Sequence, residues 1–128
     1  MKKRILIVVA SYYEKIASSL LNSAKNKIKN KYSIKVIKVP GAFEIPVTIS
    51  KNLNKFNGFI ALGCVIKGQT PHFDFISKAT TDALMKLSIT SKKPVGNGVI
   101  TCLNKKQAIE RGKKGSEAAE AVLSVLSQ

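Results

Sequence analysis

Four short apolar runs, each followed by an apolar stripe of helical period, dominate this chain and leave few folds open to it. Ile5-Leu6-Ile7-Val8-Val9 contains no polar residue, the pattern of a strand covered on both faces. From Glu14 to about Asn30, Ile16, Leu20, Leu21, Ala24 and Ile28 fall on one helical face. Ile34, Val36, Ile37 and Val39 form a second strand, stopped by Pro40-Gly41. The pattern predicts a second helix over Glu44–Asn54, a third strand over Phe59–Cys64 and a third helix from Thr70 to about Thr90. A fourth strand over Val95–Thr101 follows, then helical pieces around Lys105–Arg111 and Gly115–Leu126. Such alternation calls for parallel strands joined by right-handed crossovers. The expected fold class is α/β: a three-layer sandwich with a four-stranded parallel sheet flanked by helices.

Length fits this reading. The 128 residues allow one domain spanning 1–128, with no linker or internal repeat, and the 45% hydrophobic content is enough for a buried core. No apolar stretch approaches the ~20 residues that cross a bilayer. Met1-Lys2-Lys3-Arg4 before Ile5–Ala10 has the look of a signal peptide, but Tyr12, Tyr13, Glu14 and Lys15 follow at once. There is no small-residue cleavage site, so a first strand fits better and a cytoplasmic location without membrane attachment is expected. Cys64 and Cys102 belong to no CxxC pair, and the single histidine, His72, is not spaced with them as a metal site requires. Free thiols and no metal are expected.

The net charge of +15, from 22 Lys+Arg against 7 Asp+Glu, raises nucleic-acid binding as a rival function. The basic residues are 20 Lys and only 2 Arg, and aromatics are 6%. Base and phosphate recognition leans on arginine forks and stacking aromatics. The densest basic stretch, Lys25 to Lys38, alternates with Asn and Ile. A lysine bias over solvated faces explains it better, and such a surface still attracts small anions.

In parallel sheets ligands bind beyond the carboxyl ends of the strands, here Ser11–Tyr13, Pro40–Glu44, Val65–His72 and Thr101–Lys105. The third junction reads Val65-Ile66-Lys67-Gly68-Gln69-Thr70-Pro71-His72. Thr70 suits an N-cap and Pro71 the first helical position. Free backbone amides there, with Gly68 allowing close approach, make an anion site. His72 falls in the first turn, where an imidazole can shuttle protons; a surface histidine is the equally weighted bland reading. Glu44 at a helix start either accepts hydroxyls from a polyol or complements the helix dipole. Tyr12 and Tyr13 end the first strand and either stack on a flat heterocycle or cap the core. Gly96-Asn97-Gly98 marks close approach of a ligand or another backbone, or a bulge. Arg111 is a possible phosphate fork, though alone it reads as a solvated charge. The residues by themselves reach an anion-binding α/β domain with one acid/base, and no substrate.

Three segments go further. Pro40-Gly41-Ala42-Phe43-Glu44-Ile45-Pro46 is the first. Leu62-Gly63-Cys64-Val65-Ile66-Lys67-Gly68 with Thr70 and His72-Phe73-Asp74-Phe75 is the second, and Gln107-Ala108-Ile109-Glu110-Arg111 the third. In order and spacing they resemble the 6,7-dimethyl-8-ribityllumazine synthase family, over about Ile5 to Leu126. The resemblance implies a flavodoxin-like sandwich and a step of riboflavin biosynthesis. That step joins 5-amino-6-(D-ribitylamino)uracil and 3,4-dihydroxy-2-butanone 4-phosphate, releasing phosphate and water, with no cofactor or metal. It implies that Tyr12 stacks on the pyrimidine. Ala42, Phe43 and Glu44 would line the ribityl chain, and Val65 and Ile66 would contact the ring. Gly68, Gln69 and Thr70 would cradle the phosphate, with His72 transferring protons. Arg111 for the phosphate, Lys114 for the pyrimidinedione and Asn97 would come from a neighbouring subunit. A homopentamer at minimum follows, with riboflavin synthase as the downstream partner in the pathway.

The chain also departs from the family pattern. Tyr13 stands where asparagine is frequent and Asn97 where phenylalanine is frequent. Only Gly112 and Lys113 separate Arg111 from Lys114, where many relatives have a longer glycine-rich linker. The first core strand comes at once, without the extension by which many members pair with neighbours, and this bears on assembly beyond the pentamer. A catalytically silent lumazine- or flavin-binding pentamer is the alternative that these differences keep in view.

Overall fold

The computed structural model describes residues 2–128; Met1, the first residue of the basic start discussed above, lies outside them. The elements run β1 (Arg4–Ala10), α1 (Glu14–Ile28), β2 (Ser33–Val39), a short 3-10 turn (Ala42–Glu44), α2 (Ile45–Lys51), β3 (Gly58–Ile66), α3 (His72–Ser91), β4 (Val95–Cys102), α4 (Lys105–Glu110) and α5 (Lys114–Leu126). The four strands form one sheet in the order β2-β1-β3-β4, every pair parallel. This is the α/β three-layer architecture expected from the alternation of strands and helices.

The unbroken apolar run of β1 now has its cause. Ile5, Ile7 and Val9 point to one face, where they pack with Ile16, Leu20, Ala24 and Ile28 of α1 and Ala118, Ala119 and Val122 of α5. Leu6, Val8 and Ala10 point to the other, against Ile45 and Ile49 of α2 and Leu84 of α3. A central strand sandwiched in this way has no face on which a polar residue is tolerated.

Several boundaries differ from the sequence expectation. The second helix is shorter than Glu44–Asn54, because Asn52 closes it. The Asn52 main-chain N–H donates to Ile49 C=O at 2.9 Å, and its side-chain Nδ2 donates to Thr48 C=O at 2.8 Å. The third helix begins at His72, with Pro71 as N-cap rather than first helical residue. Thr70 is therefore not the cap; its hydroxyl accepts from the His72 amide only at 3.5 Å. Gly96 and Gly98 lie on the face of β4 that meets α5, and a Cβ at Gly96 would run into the Ala118 carbonyl oxygen. Of the alternatives open at those glycines, close approach of another backbone is the one present. Gly115 has the same role where α5 meets α1, since a Cβ there would strike the Leu20 carbonyl oxygen.

Candidate functional site

The carboxyl ends of β1, β2 and β3 open into a cavity of about 600 Å³, within the range that holds small ligands. Tyr12, Tyr13, Gly41, Ala42, Phe43, Cys64, Val65, Ile66, His72 and Ile76 line it. Each comes from a chain segment leaving the sheet: β1 delivers the tyrosines, the turn after β2 delivers Gly41–Phe43, and β3 ends in Cys64–Ile66. The first turn of α3 delivers His72. The strand-end rule thus locates the wall of the cavity from topology alone.

The aromatic side of the cavity is built from two rings. Tyr12 is 76% exposed, while Tyr13 is half-buried against the α1 side of the core. Their centroids are 4.8 Å apart with an interplanar angle of 84°, an edge-to-face pair. Phe43, 64% exposed, adds a third aromatic surface. At the end of β3, burial pushes the Cys64 thiol up to about 12, with neighbouring Cys102 adding to the effect. The Cys64 sulfur is thus a neutral, apolar part of the wall.

Glu44 lies beside this cavity rather than in its lining. Its Oε1 accepts the Gly41 N–H at 2.9 Å, closing the turn that presents Ala42 and Phe43. Glu44 lines a second hollow, between α2 and α3, which has Phe43 in common with the first. Gly68, Gln69 and Thr70 form the exposed loop between β3 and α3. No Cβ at Gly68 would meet any atom within 4 Å, so this side of the loop is open. The first main-chain bond of α3 runs from the Phe75 N–H to Pro71 C=O at 3.2 Å. The amides before it therefore project from the helix end, as an anion site requires.

The remaining expected residues are not brought to this cavity. Arg111 follows α4, and its Nη1 donates to Thr101 C=O at 3.2 Å. Lys114 opens α5 and pairs with Glu117 at 3.4 Å. Asn97 is exposed on β4, an edge strand, where its Oδ1 accepts the Val99 N–H at 3.0 Å. All three are exposed, and none lines the strand-end cavity of its own chain. Conversely, Gly41, Cys64 and Ile76 line it without having been singled out. Their signal was positional, since Gly41 and Cys64 sit at strand ends and Ile76 lies one helical turn after His72.

The sequence pattern of 6,7-dimethyl-8-ribityllumazine synthase matches residues 2–128. The chain belongs to that family. Curated proteins named 6,7-dimethyl-8-ribityllumazine synthase are similar over most of their length. The one from Bartonella tribocorum is 42% identical over 98% of this chain and 89% of its own length. The one from Buchnera aphidicola is 41% identical over 98% of this chain and 87% of its own. That from Agrobacterium fabrum is 39% identical over 98% and 93%. Membership of the lumazine synthase family makes the chain an enzyme of riboflavin biosynthesis. Among the described residues no helix is long and apolar enough to cross a membrane, and no cluster of three potential metal ligands occurs.

Proposed function

We propose that the strand-end cavity condenses 5-amino-6-(D-ribitylamino)uracil with 3,4-dihydroxy-2-butanone 4-phosphate to 6,7-dimethyl-8-ribityllumazine, in a site completed by a neighbouring subunit. The observation that carries this reading is the convergence of Tyr12, Ala42, Phe43, Val65, Ile66 and His72 on one cavity in a chain of this family. Tyr12 stacks on the pyrimidine, Val65 and Ile66 hold its edge, and Ala42 and Phe43 flank the ribityl chain. Glu44 has one carboxylate oxygen engaged by Gly41 and offers the other to a ribityl hydroxyl.

The chemistry needs proton movement more than a strong nucleophile. The substrate amine adds to the ketone and loses water to form a Schiff base. Phosphate then leaves by elimination, the enol so formed tautomerises to a ketone, and the second nitrogen adds to that carbonyl and expels a second water to close the ring. His72, at the mouth of the cavity, exchanges protons at each stage. The α3 amides and the Gly68-Gln69-Thr70 loop receive the phosphate, as a helix N-terminus stabilises an anion. Holding two reactants in register supplies much of the rate, worth up to ~7–11 kcal/mol in favourable cases. No cofactor or metal enters these steps.

Asn97, Arg111 and Lys114 stand apart from their own chain's cavity and act in this reading on the cavity of the next subunit. In this reading the shared sites close into a ring, and the family resemblance implies that the ring is a homopentamer at minimum. The exposed Phe75, Met85 and Ile89 on α3 give that assembly an apolar surface to bury. Riboflavin synthase then consumes the product.

The test follows lumazine formation and phosphate release together with both substrates present. The two appear in equal amounts, His72→Ala lowers turnover about 100-fold or more, and Arg111→Ala raises KM for the phosphorylated substrate. Mixing the two variants after subunit exchange restores part of the activity; no recovery overturns the shared site. Binding of the ribitylated pyrimidine without turnover leaves a catalytically silent binding protein.

A further inference from the structure

Tyr13 sits where a helix-starting side chain is normally short and polar. It is the N-cap of α1, with φ −107° and ψ 90°, and no side-chain capping bond is made. Its carbonyl accepts the Ala17 N–H at 2.8 Å, so the cap residue serves the helix through its backbone alone. Ser, Thr, Asp or Asn would add a side-chain bond to a free amide of the first turn. A tyrosine forgoes that bond, and places where a local rule is broken are where function is to be sought. Here the side chain is instead part of the cavity wall.

Two contacts say what the ring does there. It meets Tyr12 edge to face at 4.8 Å, and it packs against the α1 side of the core. Tyr12, by contrast, is 76% exposed and has no burial of its own to fix its rotamer. The same two rings also line a second hollow, of about 420 Å³, between α1 and α4. The pair is therefore the partition between two open spaces, anchored only on the Tyr13 side. Burial is the main cause that raises the Tyr13 phenol above its ordinary value, followed by Tyr12 and Cys64. The hydroxyl thus stays neutral across the working range of pH, and the contact is one of ring faces and edges.

We infer that Tyr13 is a positioning residue: its core-anchored ring holds the exposed Tyr12 ring at the angle from which it stacks on the flat heterocycle. This deepens the proposed reaction and rests on it. Tyr13 touches no reacting atom and sets the affinity for the ring-bearing substrate through Tyr12.

The experiment is a double-mutant cycle on Tyr12 and Tyr13, with kinetics, binding of 6,7-dimethyl-8-ribityllumazine and near-ultraviolet circular dichroism read on each protein. The chain has no Trp and 3 Tyr, so the near-ultraviolet signal reports Tyr12, Tyr13 and Tyr32 directly. Tyr13→Ala is expected to raise KM for the ribitylated pyrimidine and Kd for the lumazine about tenfold, with the loss falling on KM rather than kcat. Tyr13→Phe, which keeps the ring and drops the hydroxyl, recovers most of that loss. Tyr12→Ala combined with Tyr13→Ala is no weaker than Tyr12→Ala alone. Tyr13→Ala also removes more dichroism than one tyrosine accounts for.

Additive losses in the cycle overturn the inference, because Tyr13 would then act on the ligand independently of Tyr12. An unchanged KM and Kd in Tyr13→Ala overturn it while leaving the proposed reaction intact. A Tyr13→Phe as weak as Tyr13→Ala also overturns it and assigns the effect to the hydroxyl. Wild-type protein that binds the lumazine but does not turn over removes the reaction and leaves Kd to decide the inference. Wild-type protein that does neither overturns both.

Discussion

The two faces of the sheet are finished to different degrees. On one, α1 and α5 close over the sheet so completely that Leu20, Ala24, Ala119 and Val122 are 0% exposed. Polar bonds tie α1 to α5 and to the turn that precedes it. Ser23 Oγ donates to Gly112 C=O at 2.8 Å and accepts the Ser116 N–H at 3.0 Å, and Lys27 pairs with Glu120 at 2.9 Å. On the other face α3 is twenty residues long, yet only Thr80 and Leu84 are buried. Phe75, Met85 and Ile89 of that helix and Val47 of α2 remain 58–69% exposed. Thr80 Oγ1, although buried, has no hydrogen-bond partner. One face is a completed core. The other leaves apolar surface uncovered, and Phe43, His72 and Ile76 of the proposed site all come from its elements.

This contrast is open to direct attack. The largest effect is expected on the completed face. Leu20→Ala leaves a cavity that neither the sheet nor α5 can collapse into, and costs about 3–5 kcal/mol in denaturant unfolding. Leu84→Ala, on the face with fewer neighbours, costs about 2 kcal/mol, the low end for such truncations. Equal losses at the two positions would show that the faces are equally packed.

Ile89→Lys sharpens the comparison from the other side. In the isolated chain an exposed apolar residue replaced by lysine shifts unfolding by no more than about 0.5 kcal/mol. In an assembly that buries α3 the same change sets an unpaired ammonium in an apolar contact. Sedimentation should then show loss of the proposed pentamer with the fold retained. An unchanged oligomer would remove Ile89 from any subunit contact.

The smallest effect concerns Cys64, at the border between the core and the cavity. Its folded value of about 12 lies above the ordinary 9.0 of the thiol, so the folded chain keeps this proton where the unfolded chain releases it. The stability it contributes is complete below pH 9 and is lost as pH rises towards 12. Alkylation by iodoacetamide at pH 8 should accordingly be slow in the native protein and fast in denaturant. Rapid native alkylation would mean that the thiol is far less buried than its place in the wall implies.

The sequence was most informative where one local pattern left a single solution. The apolar run of β1 and the Pro40-Gly41 stop marked strands, and the strand ends then marked the cavity, because topology fixes where a parallel sheet opens. His72 and Tyr12, singled out by this route, both line that cavity. Glu44 was read with two roles open, and the bond to Gly41 shows one of its oxygens engaged in the turn, which only the folded geometry of that turn decides. The glycines of β4 likewise gave no sign of whether a ligand or a helix approached them.

What the sequence by itself determined is the order of strands and helices and which residues stand at the strand ends. Both follow from periodicity and chain direction, which are properties of neighbours along the chain. Tertiary structure alone decided that α5 presses its backbone onto Gly96, that Tyr13 leans on Tyr12, and that Asn97, Arg111 and Lys114 stand away from their own cavity. These are contacts between residues remote in sequence or turned by a particular rotamer. Their partners are set by how helices pack across the sheet, and no local pattern in a single chain carries that information.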